Sequence, residues 1–334
     1  MKVLVGLSGG VDSAVAAYVL KEQGYDVTCC FMRNWDAFAN GDIAGNPTIQ
    51  NDTCPQEQDY MDAKAVADHL GLELLRIDFI KEYWDYVFTS FLEEYKKGRT
   101  PNPDILCNKY IKFDSFFHFA MEKGFDMVAT GHYASVTTEN GFTYLTRAVD
   151  QNKDQTYFLC QVSSKAISKT LFPIGTIEKP EVRRIAKELS LESVATKKDS
   201  TGICFIGERN FREFLSNYLP SHDGDIVDID TCKVVARHVG VLYYTIGQRK
   251  GLNIDHEKGP WFVIGKDVEK NILFVCHHTK KEWLYSTSCL VKGVNWILPQ
   301  GYEIPIQCTC KFRYRQKDQD VYCEVLAETT IRLR

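Results

Sequence analysis

No stretch of the 334 residues stays apolar for the roughly 18 positions that a membrane-spanning helix needs, so such a helix is excluded. No C-x-x-C pair occurs among the twelve cysteines, which removes a zinc-ribbon spacing and a dense disulfide scaffold. Cys308-x-Cys310 and the adjacent Cys29-Cys30 are weak metal signals, and no metal centre is expected. The chain lacks G-x-x-x-x-G-K-[ST] and G-x-G-x-x-G, so neither a Walker nucleotide site nor a dinucleotide fingerprint is present. Repeats and low-complexity tracts are absent, and no basic, apolar leader precedes the strand-like run at Lys2–Leu7. The expected location is therefore the cytoplasm, with the thiols reduced. Strong net charge is missing too: −4 overall, which argues against a generically basic polyanion binder. Residues 1–221 carry 24 Lys and Arg against 30 Asp and Glu, whereas residues 222–334 carry 16 against 14, so a polyanion must be met by local patches.

What is present is ordinary globular composition, 44% apolar and 25% charged, enough for a sizeable core. Short apolar runs at 3–7, 26–31, 73–77 and 126–130 read as strands. Between them lie helical stripes, among them Val11, Ala14, Val15, Tyr18 and Val19, then Trp84, Val87, Phe88, Phe91, Leu92 and Tyr95, and then Phe113, Phe116, Phe117, Ala120 and Met121. This alternation predicts an α/β, mainly parallel sheet covered on both faces, over residues 1–160. Residues 36–58 read as an irregular excursion. Residues 161–222 read as a small helical region, with helices at 163–171, 179–190 and 209–218. From 223 to 334 the pattern turns β-rich, with runs at 239–244, 261–266, 272–276, 307–313 and 321–326, which suggests small β-barrels. The chain stops at 330–334 in what reads as mid-strand, so the last barrel is expected to be incomplete, with an open edge.

Ser8-Gly9-Gly10-Val11-Asp12-Ser13 follows the first strand and opens the first helix. Glycines let main-chain amides approach an anion, two hydroxyls add donors, and the helix N-terminus adds unpaired N–H groups and a positive dipole end. The result is a pyrophosphate cradle, with Asp12 a candidate Mg²⁺ ligand or helix cap; the plainer alternative is a Gly-rich turn. Two further windows hold lone cysteines. In Gly98-Arg99-Thr100-Pro101-Asn102-Pro103-Asp104-Ile105-Leu106-Cys107-Asn108 the prolines stiffen the backbone, and Cys107 falls near the start of a helix expected over 109–122, where a thiol acidifies. In Lys197-Lys198-Asp199-Ser200-Thr201-Gly202-Ile203-Cys204, the cysteine sits among cations that favour thiolate. Each alone reads equally well as a buried structural cysteine.

The hexapeptide resembles the signature of the PP-loop, or N-type ATP pyrophosphatase, superfamily, whose members cleave ATP between the α and β phosphates and adenylate a substrate oxygen on a Rossmann-like sheet. With both cysteine windows, Gly131-His132-Tyr133, Lys153-Asp154-Gln155, Thr245-Ile246-Gly247-Gln248-Arg249 and Lys311-Phe312-Arg313-Tyr314-Arg315, the chain from Lys2 to about Leu326 resembles the bacterial-type tRNA-specific 2-thiouridylases. The resemblance implies that Gly6, Leu7, Ser8, Gly9, Gly10, Val11, Asp12 and Ser13 bind ATP phosphates, with Mg²⁺, and that Met32 and Gly131 line the nucleotide. It implies that Asn102, Pro103 and Asp104 contact the target base, and that Cys107 is the nucleophile. Cys204 then carries a persulfide, and the two cysteines form a disulfide during the cycle. His132, Lys153, Asp154, Gln155, Arg313 and Tyr314 would touch tRNA. The implied partners are tRNAs for Lys, Glu and Gln and a persulfide-carrying relay protein as sulfur donor.

The residue types suit that chemistry. The C2 oxygen of uridine is a poor leaving group until it is adenylated. Persulfide sulfur on Cys204 then attacks the carbon or leaves as sulfide, and Cys107 attacks the persulfide, leaving a disulfide for cellular reductant. Asp104 would move the proton. The two cysteines are 97 residues apart in sequence, and a disulfide needs their Cα atoms within roughly 4.4–6.8 Å. Four basic residues and two aromatics in Lys311–Lys317 suit phosphate contact and base stacking. The helix bearing Lys179, Arg183, Arg184 and Lys187 reads either as a second tRNA surface or as a plain exposed helix. A PP-loop ligase or amidotransferase acting on a small metabolite is the alternative, but it has no use for paired thiols.

Overall fold

The computed structural model describes residues 1–49, 54–198, 210–254, 259–297 and 306–334. The predicted α/β alternation is present. Strands β1 (Lys2–Gly6), β2 (Asp26–Arg33), β3 (Glu73–Asp78) and β4 (Met127–Thr130) pair in parallel in the order β3-β2-β1-β4. Beyond β4 the sheet takes a fifth parallel strand, Thr170–Leu171, past the expected boundary at 160. Val3, Leu4 and Val5 of β1 are fully buried, as a central strand covered on both faces requires. Cys29 and Cys30 face opposite sides of the sheet, each in a different apolar cluster, and burial pushes both thiols up to about 12. They are core residues and cannot share a ligand.

One face of the sheet carries helices α1 (Val11–Glu22) and α2 (Pro55–Leu70). Helix α2 starts with proline at its first position and ends on Gly71 in the left-handed region, φ 63°, so the excursion expected to reach residue 58 is helical from 55. The other face carries two helical runs, over 80–96 and 103–122. Their middles, Tyr83–Phe88 and Asn108–Ser115, are π-helical. The second run starts at Pro103, not at 109. Cys107 therefore lies beyond the first turn, where the dipole's help is weaker. A hairpin of strands Ala134–Glu139 and Phe142–Arg147 closes this part of the chain.

The central helices are Ser164–Ile167, Lys179–Glu188, Glu192–Ala195 and Phe211–Ser216. The run expected as one helix over 163–171 ends early because its last residues join the sheet. Next comes a four-stranded sheet of Gly224–Asp228, Val234–His238, Trp261–Asp267 and Ile272–His277 around Ile226, Val263, Leu273 and Val275. The run at 239–244 is a 3-10 turn, Val241–Tyr243, rather than a strand. It is entered through Gly240 at φ 138°, a conformation closed to other residues. The last sheet orders Cys289–Lys292, Thr330–Leu333, Gln319–Ala327 and Ile306–Cys310. The final strand is paired on both sides, and the sheet's edges are Cys289–Lys292 and Ile306–Cys310.

Candidate active site

Strand order reverses between β1 and β4, and Ser8–Ser13 leaves β1 at that switch point, where open α/β sheets bind ligands. The loop's shape has local causes. Gly9 adopts φ 72°, and a Cβ there would lie 2.3 Å from the Asp59 carbonyl oxygen of α2. Ser13 Oγ donates to the Gly10 carbonyl at 3.0 Å and accepts from Ser8 N at 3.1 Å, which ties the turn to the helix. Gly10 is the N-cap and offers no side chain, so the first N–H groups of α1 are left for an anion. Gly131 supports the turn from behind: its Cβ would lie 2.6 Å from Ser13 N. The terminal methyl of Met32 packs 3.1 Å from where a Cβ on Gly6 would sit.

Two lysines the sequence did not single out for this loop reach it from far along the chain. Lys179, 8% exposed at its side chain, places Nζ 2.7 and 2.9 Å from the two Asp12 carboxylate oxygens. The Tyr133 hydroxyl donates to the same carboxylate at 3.0 Å. Asp12 therefore neither caps the helix nor presents a bare carboxylate to a metal. Lys197 Nζ donates to the Gly9 carbonyl at 3.0 Å and pairs with Asp59 at 2.7 Å and Asp62 at 2.8 Å. Burial would lower this ammonium, but the two carboxylates outweigh it and hold it above its ordinary value. Lys179 did leave a trace in the sequence. A cation in a helix's first turn opposes the dipole, so something else must hold it.

On the opposite face of the sheet, Asn102 caps the run at 103–122, its side-chain oxygen accepting from Asp104 N at 3.1 Å. Asp104 and Cys107, three residues apart on this helix, share a face. Cys107 is 4% exposed within the aromatic core. Cys204, with the rest of its window from 199 on, lies outside the described residues. Every cysteine among the described residues is a free thiol.

His132 is buried, with Nδ1 2.8 Å from Thr130 Oγ1. Burial, helped by Lys112, holds it well below the usual histidine range, so the ring is neutral near pH 7. Asp154 is also buried, accepting from Ala148 N at 2.8 Å and Thr156 Oγ1 at 2.6 Å, and Gln155 accepts from Tyr133 N at 2.9 Å. Both side chains are thus engaged inside the protein, anchoring the segment that follows the hairpin.

The basic-aromatic segment is a turn between two strands rather than the strand expected to 313. Tyr314 packs on Phe158 with ring centroids 4.5 Å apart, and Arg313 donates to the Ile246 carbonyl at 3.0 Å. Beside Tyr314, a cavity of about 260 Å³ is lined by Arg147, Tyr157, Cys160, Cys310 and Lys311, among others.

A parallel sheet with a glycine-serine anion cradle at its switch point defines an α/β enzyme of the phosphate-loop class. Comparison with known proteins specifies it further. The tRNA methyl transferase HUP domain model matches residues 1–208, and the tRNA methyl transferase PRC-barrel domain model matches residues 212–277. A tRNA-specific 2-thiouridylase MnmA of Mycoplasma capricolum is 59% identical over 329 residues, covering 96% of this chain and 87% of that protein. Its counterpart from Geobacillus thermodenitrificans is 53% identical over 327 residues, with 98% and 85% covered. A solved 4-thiouridine synthetase–RNA complex with bound ATP is 16% identical with a TM-score of 0.39, covering 62% of this chain and 45% of that one, a likeness too loose to carry an argument. The chain belongs to the tRNA-specific 2-thiouridylase family.

Proposed function

We propose that this protein is a tRNA sulfurtransferase that forms 2-thiouridine at the wobble uridine, using ATP to activate the base. The observation that carries this reading is the Ser8–Ser13 cradle, set at the switch point of a chain whose relatives at 50–59% identity bear the thiouridylase name. The matching domain models carry a methyl transferase name, but an ATP-phosphate loop and paired cysteine windows serve sulfur transfer. The metabolite-ligase alternative is not favoured for the same reason.

The chain's own residues fit the nucleotide. Backbone amides at the start of α1 and the Ser8 hydroxyl are donors suited to pyrophosphate, while the Ser13 hydroxyl, whose proton goes to the Gly10 carbonyl, holds the turn. Bound ATP supplies the leaving group that makes the uridine oxygen displaceable. Mg²⁺ fits less well at Asp12, whose carboxylate is engaged by Lys179 and Tyr133, so the ion is assigned to the phosphates themselves. Asn102, Pro103 and Asp104 hold the base beside Cys107. Persulfide sulfur on Cys204 attacks C2 and displaces AMP. Cys107 thiolate then attacks the Cys204 sulfur, freeing the thiocarbonyl and leaving a Cys107–Cys204 disulfide that a cytoplasmic thiol reduces. Lys153, Arg313 and Tyr314 face tRNA, while His132, Asp154 and Gln155 act by shaping that surface from inside. The substrates are the tRNAs for Lys, Glu and Gln, and a relay protein delivers the persulfide.

Nucleoside analysis of tRNA incubated with the protein, ATP, Mg²⁺ and a sulfur source tests this reading. New 2-thiouridine with matching AMP release is expected, and its absence refutes it. Cys204→Ser should abolish thiolation while leaving tRNA-dependent AMP formation within about threefold of the parent; full thiolation by that variant removes the persulfide role.

A further inference from the structure

Asn108 follows Cys107 and is 2% exposed. Its Nδ2 donates to the Phe158 carbonyl at 3.0 Å. Its Oδ1 is buried and finds no donor among the described residues. The Phe158 carbonyl can only accept, so the amide keeps its nitrogen on that side; flipping it would set two acceptors face to face. Hence the orphan oxygen is fixed in direction. It also stands where the helix widens from α to π, a local irregularity that recurs at functional sites. A buried acceptor without a donor costs free energy, and a ligand that brings a donor recovers it.

Three other side-chain acceptors of this region already hold donors. Asn102 Oδ1 holds Asp104 N, Asp154 holds Ala148 N and Thr156, and Gln155 Oε1 holds Tyr133 N. The other orphaned side-chain oxygen among the described residues, Asn34 Oδ1, follows β2 and adjoins no candidate nucleophile.

We infer that Asn108 Oδ1 accepts a hydrogen bond from N3–H of the target uracil and thereby selects uridine over cytidine. N3–H is the ring's donor next to C2, the carbon that exchanges oxygen for sulfur. Cytosine carries a bare acceptor at N3, which would meet Oδ1 lone pair to lone pair. Enzymes that work on a single base read its Watson–Crick edge in this way, and leaving such a buried group unpaired is a strong means of rejection. The inference rests on the proposed function and on Cys107 facing the base.

The test compares full-length tRNA bearing uridine or N3-methyluridine at position 34, with parent protein and Asn108→Ala. The methyl removes the donor and pushes on Oδ1; alanine removes the acceptor and makes room. The parent should thiolate the methylated tRNA at least about a hundredfold more slowly than the unmodified one. In Asn108→Ala that ratio should shrink by about tenfold or more, whatever the absolute rate; a purely structural role would lower both rates together. An unchanged ratio overturns the assignment. Parent protein that thiolates both tRNAs within about twofold overturns it too, even if the variant fails to fold. Absence of thiolation on unmodified tRNA refutes the proposed function instead, so the two failures are distinct.

Discussion

Gly131→Ala isolates how tightly the sheet supports the phosphate loop. The added Cβ would lie 2.6 Å from Ser13 N, 2.7 Å from Asp12 C and 2.9 Å from Ser13 Cα. All three are backbone atoms at the first turn of α1, so no side chain can swing aside. Ordinary contact begins near 3.4 Å, and the turn must retreat by roughly 0.5–1 Å or the strand end must bend. Overpacking of this size costs about 1–3 kcal/mol. The functional loss should be larger, because displacing a pre-organised donor set by about 1 Å lowers rate by about a hundredfold. tRNA-dependent release of AMP and pyrophosphate reads the loop directly, and thermal melting reads the stability term. We expect AMP formation to fall by about ten- to a hundredfold with only a modest drop in melting temperature. A variant with kcat and KM for ATP within twofold of the parent would refute the claim that the position of Ser13 and Asp12 sets activity.

Two further substitutions test charges that the fold holds in place. Lys179→Met removes the ammonium from the Asp12 carboxylate and leaves it the Tyr133 hydroxyl, which should cost about 1–3 kcal/mol by denaturant unfolding. Asp12→Asn with Lys179→Met should recover part of that loss, whereas strictly additive effects would show that the pair contributes nothing as a pair. Lys266 has Nζ buried without a hydrogen-bond partner among the described residues, and burial pushes it down to about 8. Its folded value lies below its unfolded one, so charging it penalises the folded state below pH 8, and the penalty fades as pH rises from about 8 to 10.5. Lys266→Met should therefore stabilise the protein at pH 7 by on the order of 1–3 kcal/mol, with the gain vanishing toward pH 10.5; equal stability of parent and variant at pH 7 would refute the buried charge.

The first four strands were legible as short apolar runs, most plainly at β1, whose Val3, Leu4 and Val5 are fully buried, and each lies within two residues of its expected bounds. The hairpin at 134–147 was missed although Asn140-Gly141 marks it. Asn140 at φ 50° and Gly141 at φ 81° form the tight turn that this dipeptide favours. Its strands are half polar and only partly buried, so the apolar pattern was weak. Residues 239–244 failed in the other direction: β-branched and aromatic composition suggested a strand, but Gly240 turns the chain and buries Val241 and Tyr244 from a 3-10 turn. The two π-helical segments could not be read, because aromatic stripes at helical spacing suit α and π turns alike.

At the site, the division follows sequence distance. The hexapeptide was readable since its glycines, serines and helix start act on one another within a single turn. The two lysines were not, since Lys179 meets Asp12 across 167 residues and Lys197 meets Gly9 across 188. Sequence pattern grouped Lys179 with its helix neighbours and Lys197 with the cysteine window, where each had a local explanation. In the folded chain both converge on the anion cradle, one gripping its Asp12 and the other the Gly9 carbonyl together with α2. Both lysines lie beyond residue 160, yet they hold the loop that leaves β1. The segment that supplies two cations to the Ser8–Ser13 loop leads directly into the window of Cys204, so on the proposed function changes at Lys197 should alter ATP use and sulfur transfer together rather than separately.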